Sequence, residues 1–242
     1  MTTINVNTVA PAGSVLTVGD SGDTIVAVDE IKVNTVKDAG GNTLWVSNGS
    51  GTLSSVSSGF GGALNLLSTQ TASNSANVAF TSGIDSTYKE YVFEFININP
   101  ATDAVTFHFN GSDDASSWSY DVVKTTTVFD AYHYENDGGG TLEYASAQDL
   151  AQSTAYQTLV STLGNDADQC ASGKLHLFNP SSTTYVKNFY GTFSYVAESS
   201  GSYEQNNYVA GYFNTTSAIT AIDFKMSSGN INAGTIKMYG VS

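Results

Sequence analysis

Three histidines, one cysteine and a few acidic turns are the residues of this 242-residue chain best able to do chemistry. His108, His133 and His176 fall in three separate runs of alternating character. A zinc site wants ligands at short spacings or converging from neighbouring strands. The sequence gives no short spacing, so structural or surface histidines are the plainer reading. Cys170 is the one cysteine, which rules out an internal disulfide framework. A lone cysteine usually behaves as a small buried or loop residue. Asp166-Ala167-Asp168 suggests a calcium loop, but the glycine and trailing glutamate of an EF-hand are missing. It reads as an exposed acidic loop, and Asp20-Ser21-Gly22-Asp23 reads as a turn. No G-x-S-x-G elbow marks a hydrolase. The 22 acidic residues could include a carboxylate pair for glycoside cleavage, but no local pattern picks one. The residues therefore point to no catalytic, metal-binding or cofactor-binding set, and no cofactor is expected.

Aromatic rings offer a different chemistry. Trp118, Tyr132, Tyr134, Tyr203 and Tyr208 could stack on sugar rings, and they form the candidate glycan-binding set. The competing reading is that such rings serve as core and cross-strand pairs of a sheet.

The elements that would position these residues are strands. Tyr88 to Ile98 places Tyr91, Phe93 and Phe95 on one side and Val92, Glu94 and Ile96 on the other. Val105, Phe107 and Phe109 share a side, and Asn110-Gly111 reads as the turn that follows. Ser119 to Tyr134, Tyr156 to Leu163, Gly173 to Phe178, Tyr185 to Val196 and Tyr208 to Phe213 read as further strands. Gln148 to Gln152 reads as a short helix. Ile219 to Val241 holds two alternating runs around a turn-rich connector, which predicts a closing hairpin. Nine or ten strands with frequent turns predict an all-β fold: an antiparallel β-sandwich, jelly-roll-like, over 78–242. No fixed-period repeat argues for a propeller or solenoid.

Residues 1–58 read as a β-rich N-terminal arm of short pieces, among them Val15 to Val18, Thr24 to Val28, Ile31 to Val36 and Thr43 to Val46. They are too short and too few to enclose Val15, Ile25, Leu44 and Trp45. The arm therefore needs a partner, either further copies of itself or another protein. Residues 59–77, rich in Gly, Ser and Asn, read as a linker.

Composition narrows the function classes. Charged residues are 12% of the chain, about half the usual share, so the surface must be polar mainly through uncharged side chains. Net charge is −14, and every basic residue is lysine. Arginine is the usual reader of phosphates and base edges, so no nucleic-acid partner is expected. No apolar run approaches the length of a membrane span, and no secretory signal opens the chain, so no membrane insertion is expected.

Four segments together resemble virion structural proteins of tailed phages, especially marine ones. They are 31–53, 88–98, 173–195 and 221–241, the last closing in SSGN and then G-T-I-K-M-Y-G. The related proteins are tail-fibre-like or capsid-surface components ending in a jelly-roll-like domain. The resemblance implies a non-enzymatic virion part, made in the host cytoplasm, with the arm joining other virion proteins. It also implies a homo-oligomer, with three chains as the expected number, and an outward domain able to meet host-surface glycans. Tail fibre, capsid decoration or head fibre, and a carbohydrate-binding or carbohydrate-active module stay open as alternatives.

Overall fold

The computed structural model describes residues 33–51, 53–56, 63–198 and 202–242. The chain divides into two units, Met1–Phe60 and Gly61–Ser242. Among the described residues every strand ladder is antiparallel. No helix there is long and apolar enough to cross a membrane.

In the first unit, β1 (Thr35–Lys37), β2 (Thr43–Ser47) and β3 (Leu53–Val56) form a three-stranded sheet in that order. Asp38 fixes the first turn: its carboxylate accepts the Asn42 backbone N–H at 2.8 Å, while Gly41 supplies a φ of 83°. No side chain described in this unit is fully buried, and Leu53 is 52% exposed. A three-stranded sheet without a packed face is marginal by itself. The expected strands at Val15 to Val18 and Thr24 to Val28 lie outside the described residues.

The second unit is one hydrogen-bonded sheet of twelve strands folded on itself. In chain order they are β4 (Leu64–Ser75), β5 (Val78–Phe80), β6 (Glu90–Pro100), β7 (Val105–Ser112), β8 (Lys124–Tyr134) and β9 (Gly140–Tyr144). Then come β10 (Gln157–Leu163), β11 (Ala171–Phe178), β12 (Lys187–Glu198), β13 (Ser202–Phe213), β14 (Ala221–Met226) and β15 (Ile231–Val241). A large leaf runs β4-β15-β6-β11-β12-β13-β8-β9, and a small leaf runs β10-β7-β14-β5. One residue pair, Leu163 with Ala197, joins β10 to β12 at the corner between the leaves. The result is an antiparallel β-sandwich.

The core follows from the period of two. Phe93 and Phe95 of β6 and Phe189 and Phe193 of β12 point inward from the large leaf, where Phe107, Phe109 and Phe224 meet them from the small one. Phe95 lies 5.7 Å from Phe107 and 5.0 Å from Phe224, both edge-to-face. Phe109 meets Phe189 at 5.0 Å. Each fully buried ring contributes roughly 1.5–3 kcal/mol through apolar burial, and the edge contacts add to that.

Where β10 of the small leaf faces β12 and β13 of the large one, the interior turns polar. Tyr195 on β12 shares its hydroxyl with Ser161 at 2.9 Å and Asn207 at 3.2 Å. Asn207 donates in turn to Gln148 at 3.0 Å and to the Leu159 carbonyl at 3.2 Å. Buried polar groups are tolerable when they partner one another in this way.

Several local expectations differ from the fold. Residues 59–77 do not form a linker throughout, because Leu64–Ser75 is strand β4, paired with β15 along its length. An edge strand needs main-chain partners more than apolar side chains, so its Ser, Thr and Asn content is misleading. Asn110-Gly111 is not a turn; both residues continue β7 against β14. Glycine serves there because Phe213 lies over it: a Cβ would come within 2.9 Å of that ring. Gln148 to Gln152 forms no helix. Its backbone bonds sideways to β8, with Leu150 N–H donating to Thr126 Oγ1 at 2.8 Å and its carbonyl accepting from Thr126 N–H at 2.8 Å. The two runs of Ile219 to Val241 are strands, but they do not pair with each other. β14 enters the small leaf and β15 the large one, so their connector crosses between leaves.

Candidate functional site

The outer face of the large leaf carries aromatic rings where alternation would place polar side chains. On β12 the odd residues Phe189 to Tyr195 point inward, so Tyr190 and Thr192 point out. The register then sets Tyr208 of β13 opposite Thr192 and Phe129 of β8 opposite Tyr208. Phe129 and Tyr208 stack at 4.7 Å and 5°. Tyr190 stacks on His176 of β11 at 4.6 Å and 9°, with Phe178 5.7 Å beyond. Between the stacks lies a shallow trough of about 190 Å³, lined by Thr127, Phe129, Tyr190, Thr192 and Tyr208. Phe129 and Tyr190 are 43% and 44% exposed, and Leu142 on the neighbouring β9 is 68% exposed. Contiguous exposed apolar surface of this kind marks an interaction surface more often than chance exposure does. Beside it, His176 Nδ1 meets Glu90 Oε1 at 2.6 Å, and Lys174 pairs with Glu94 at 3.4 Å.

The aromatics singled out by sequence divide into three places. Tyr132, Tyr134 and Tyr203 come together, with centroids 5.2–5.7 Å apart, but they pack on one another and on the core. Tyr208 alone of the five stands on the outer aromatic face. Trp118 lies in the connection between β7 and β8, half-buried at a left-handed φ of 53°, and does not line the trough. The rings that sequence reasoning missed are Phe129 and Tyr190. Their signal was present in the alternation: each interrupts the polar side of its strand.

A second concavity, of about 630 Å³, opens beside β6, β15 and the loop before β11. It is lined by Asn97, Asn99, Asn165, Asp168, Cys170 and Asn232, among others. Cys170 is half-buried, burial raises its thiol pKa, and its Sγ lies 3.7 Å from Asn97 Oδ1.

The histidines stay apart. His108 sits on β7 bonded to Thr106 Oγ1, His133 is exposed near Asp137 at 3.5 Å, and His176 belongs to the aromatic face. Burial, helped by nearby Lys225, lowers the His108 pKa to about 4. Among the described residues no group of three or more His, Cys, Asp or Glu side chains could hold a metal ion. Compared with protein families, curated proteins and solved structures, the chain matches none.

Proposed function

We propose that this chain is a non-enzymatic virion structural component of a tailed phage, of the tail-fibre-like or other surface-exposed kind. The N-terminal unit serves assembly and the sandwich faces outward. The observation that carries this reading is the contrast between the two units. One has a dense aromatic core; the other buries none of its described side chains and leaves Leu53 and Val56 open. Covering those side chains on neighbouring copies, or on another virion protein, would gain about 25 cal/mol per Å² of apolar surface. Pairing across chains would also satisfy strand edges, and a closed homo-oligomer would avoid endless polymerisation. The phage assignment and the trimer number come from the sequence resemblance.

The experiment is antibody labelling of purified virions. Signal on the tail supports a fibre, and signal on the head supports a decoration or head-fibre protein. Absence from every particle would refute the virion reading. Deleting Met1 to Ser58 should leave a folded sandwich that no longer joins particles; normal incorporation would remove the assembly role.

A second reading, a carbohydrate-binding module, is favoured by the exposed rings around the trough. Sugar faces pack on such rings, and host-surface glycans would be the partner. Glycan-array binding that is lost in Phe129→Ala and Tyr208→Ala would support it.

A further inference from the structure

The larger concavity is built by two backbone irregularities that fall side by side. Ala233 pairs with Asn99 and Thr235 with Ile96, so β6 advances three residues while β15 advances two. On the other side of β6, Ala171 pairs with Ile98 and Gly173 with Phe95, giving the same excess. Asn97 lies at that bulge, with a left-handed φ of 53°. A second bulge falls on β15, where Ile231 pairs with Pro100 and Ala233 with Asn99, leaving Asn232 as the extra residue. Bulges re-aim side chains and recur next to binding sites. Here both re-aim an asparagine into one cleft.

The surrounding bonds hold these groups in place. Asn232 Nδ2 donates to Asn99 Oδ1 at 3.1 Å. Asn99 Nδ2 donates to the Gln169 carbonyl at 2.9 Å, which pins the far wall. That wall is also fixed by Asn165 N–H donating to Asp103 Oδ1 at 3.2 Å. Asn97 Nδ2, the Asn165 carboxamide and the Asp168 carboxylate make no hydrogen bond among the described residues, and they face a cleft of ligand size.

We propose that this cleft binds a small neutral polyhydroxylated ligand, of monosaccharide or short-oligosaccharide type. Carboxamides offer donors and an acceptor together, which matches hydroxyls that do both. A carboxylate accepts two neighbouring hydroxyls through strong bonds. Among the described residues no Lys or His lines the cleft, so an anion finds no counter-charge there. No described aromatic ring lines it either, so recognition runs through hydrogen bonds and not stacking. This site is separate from the trough between Phe129 and Tyr190, and it does not depend on the virion reading.

Cys170 lines the cleft and is the only cysteine, so it reports occupancy in the full-length protein. The probes are the methyl glycosides of glucose, galactose and mannose, and N-acetylglucosamine, each tested for slowing alkylation of Cys170 by iodoacetamide. At least one sugar should slow it several-fold and saturably. Asn97→Gly keeps the left-handed backbone but removes the amide, and Asp168→Ala acts on an exposed loop; both should abolish the protection. Phe129→Ala should leave it intact. The proposal is overturned if no sugar protects, if protection survives both cleft variants, or if it is lost in Phe129→Ala. Protection by a blocked peptide amide alone would overturn it too, since the cleft would then recognise main chain and not hydroxyls.

Discussion

Asp130 sits on the inner face of β8 with 3% exposure, and its Oδ1 has no hydrogen-bond partner among the described residues. Burial, and then the charge of Glu143 across the strand pair, raise its pKa. The folded value lies above the unfolded one, so ionising Asp130 costs the fold stability as pH rises past the ordinary carboxylate range. Asp130→Asn should therefore stabilise the protein at pH 7 by about 1 kcal/mol, and the gain should fade in acid. Urea unfolding of both proteins at neutral and acid pH checks this; a gain independent of pH would point to another cause. His108 gives the opposite slope. Its folded pKa of about 4 lies below the ordinary 6.5, so the unfolded chain takes up a proton first. Stability falls as pH drops from 6.5 towards 4 and levels off below, by at most about 3 kcal/mol. Replacing the ring, as in His108→Gln, should flatten that part of the curve. Equal slopes in both proteins would show that the acid loss lies with the carboxylates.

Strands bring these residues to their places, and the bulge between β6 and β15 is closely packed. Gly234 has a φ of 128°, and a Cβ there would meet the Asn97 carbonyl at 2.9 Å and Ile98 Cδ1 at 2.7 Å. Gly234→Ala should cost about 1–3 kcal/mol through strain and backbone shift, read as a lowered thermal midpoint. An unchanged midpoint would mean that the bulge yields easily. At this scale the sequence was informative about faces and poor about partners. Alternation in 88–98 and in 105–109 predicts which of their side chains are inside. It predicts neither the bulges nor the cleft, because register depends on strands far away in sequence. Alternation in Ile219 to Val241 likewise marks two strands but cannot say that they join different leaves. In β14 burial does not follow that alternation, since Ala221, Ile222, Asp223 and Phe224 are all buried. Asp223 survives there because the Asn77 amide at 2.6 Å and the Tyr156 hydroxyl at 2.9 Å donate to its two oxygens. Tyr190 and Phe129 were legible as aromatic residues but not as neighbours, since only the β12–β13–β8 register sets them around one trough.

For the whole molecule, β15 is not an edge strand but lies between β4 and β6. Asn74 and Asn230, bonded at that junction, are 156 residues apart in sequence. During synthesis, β4 and β6 therefore emerge long before the strand that separates them. Until it arrives, each presents a row of unpaired main-chain groups, and the apolar inner side of β6 has no neighbour on that flank. Contacts this distant slow folding and lengthen the period in which such edges can meet wrong partners. A chain lacking Ile231 to Ser242 should therefore collect as aggregate. The same geometry leaves a vacant slot with complementary edges on both sides, able to accept the missing strand from outside. Supplying residues 231–242 as a separate peptide during refolding should restore soluble protein with a native near-ultraviolet signal. Failure of the peptide to rescue would mean that the strand must arrive on the same chain, guided in by its connector from β14.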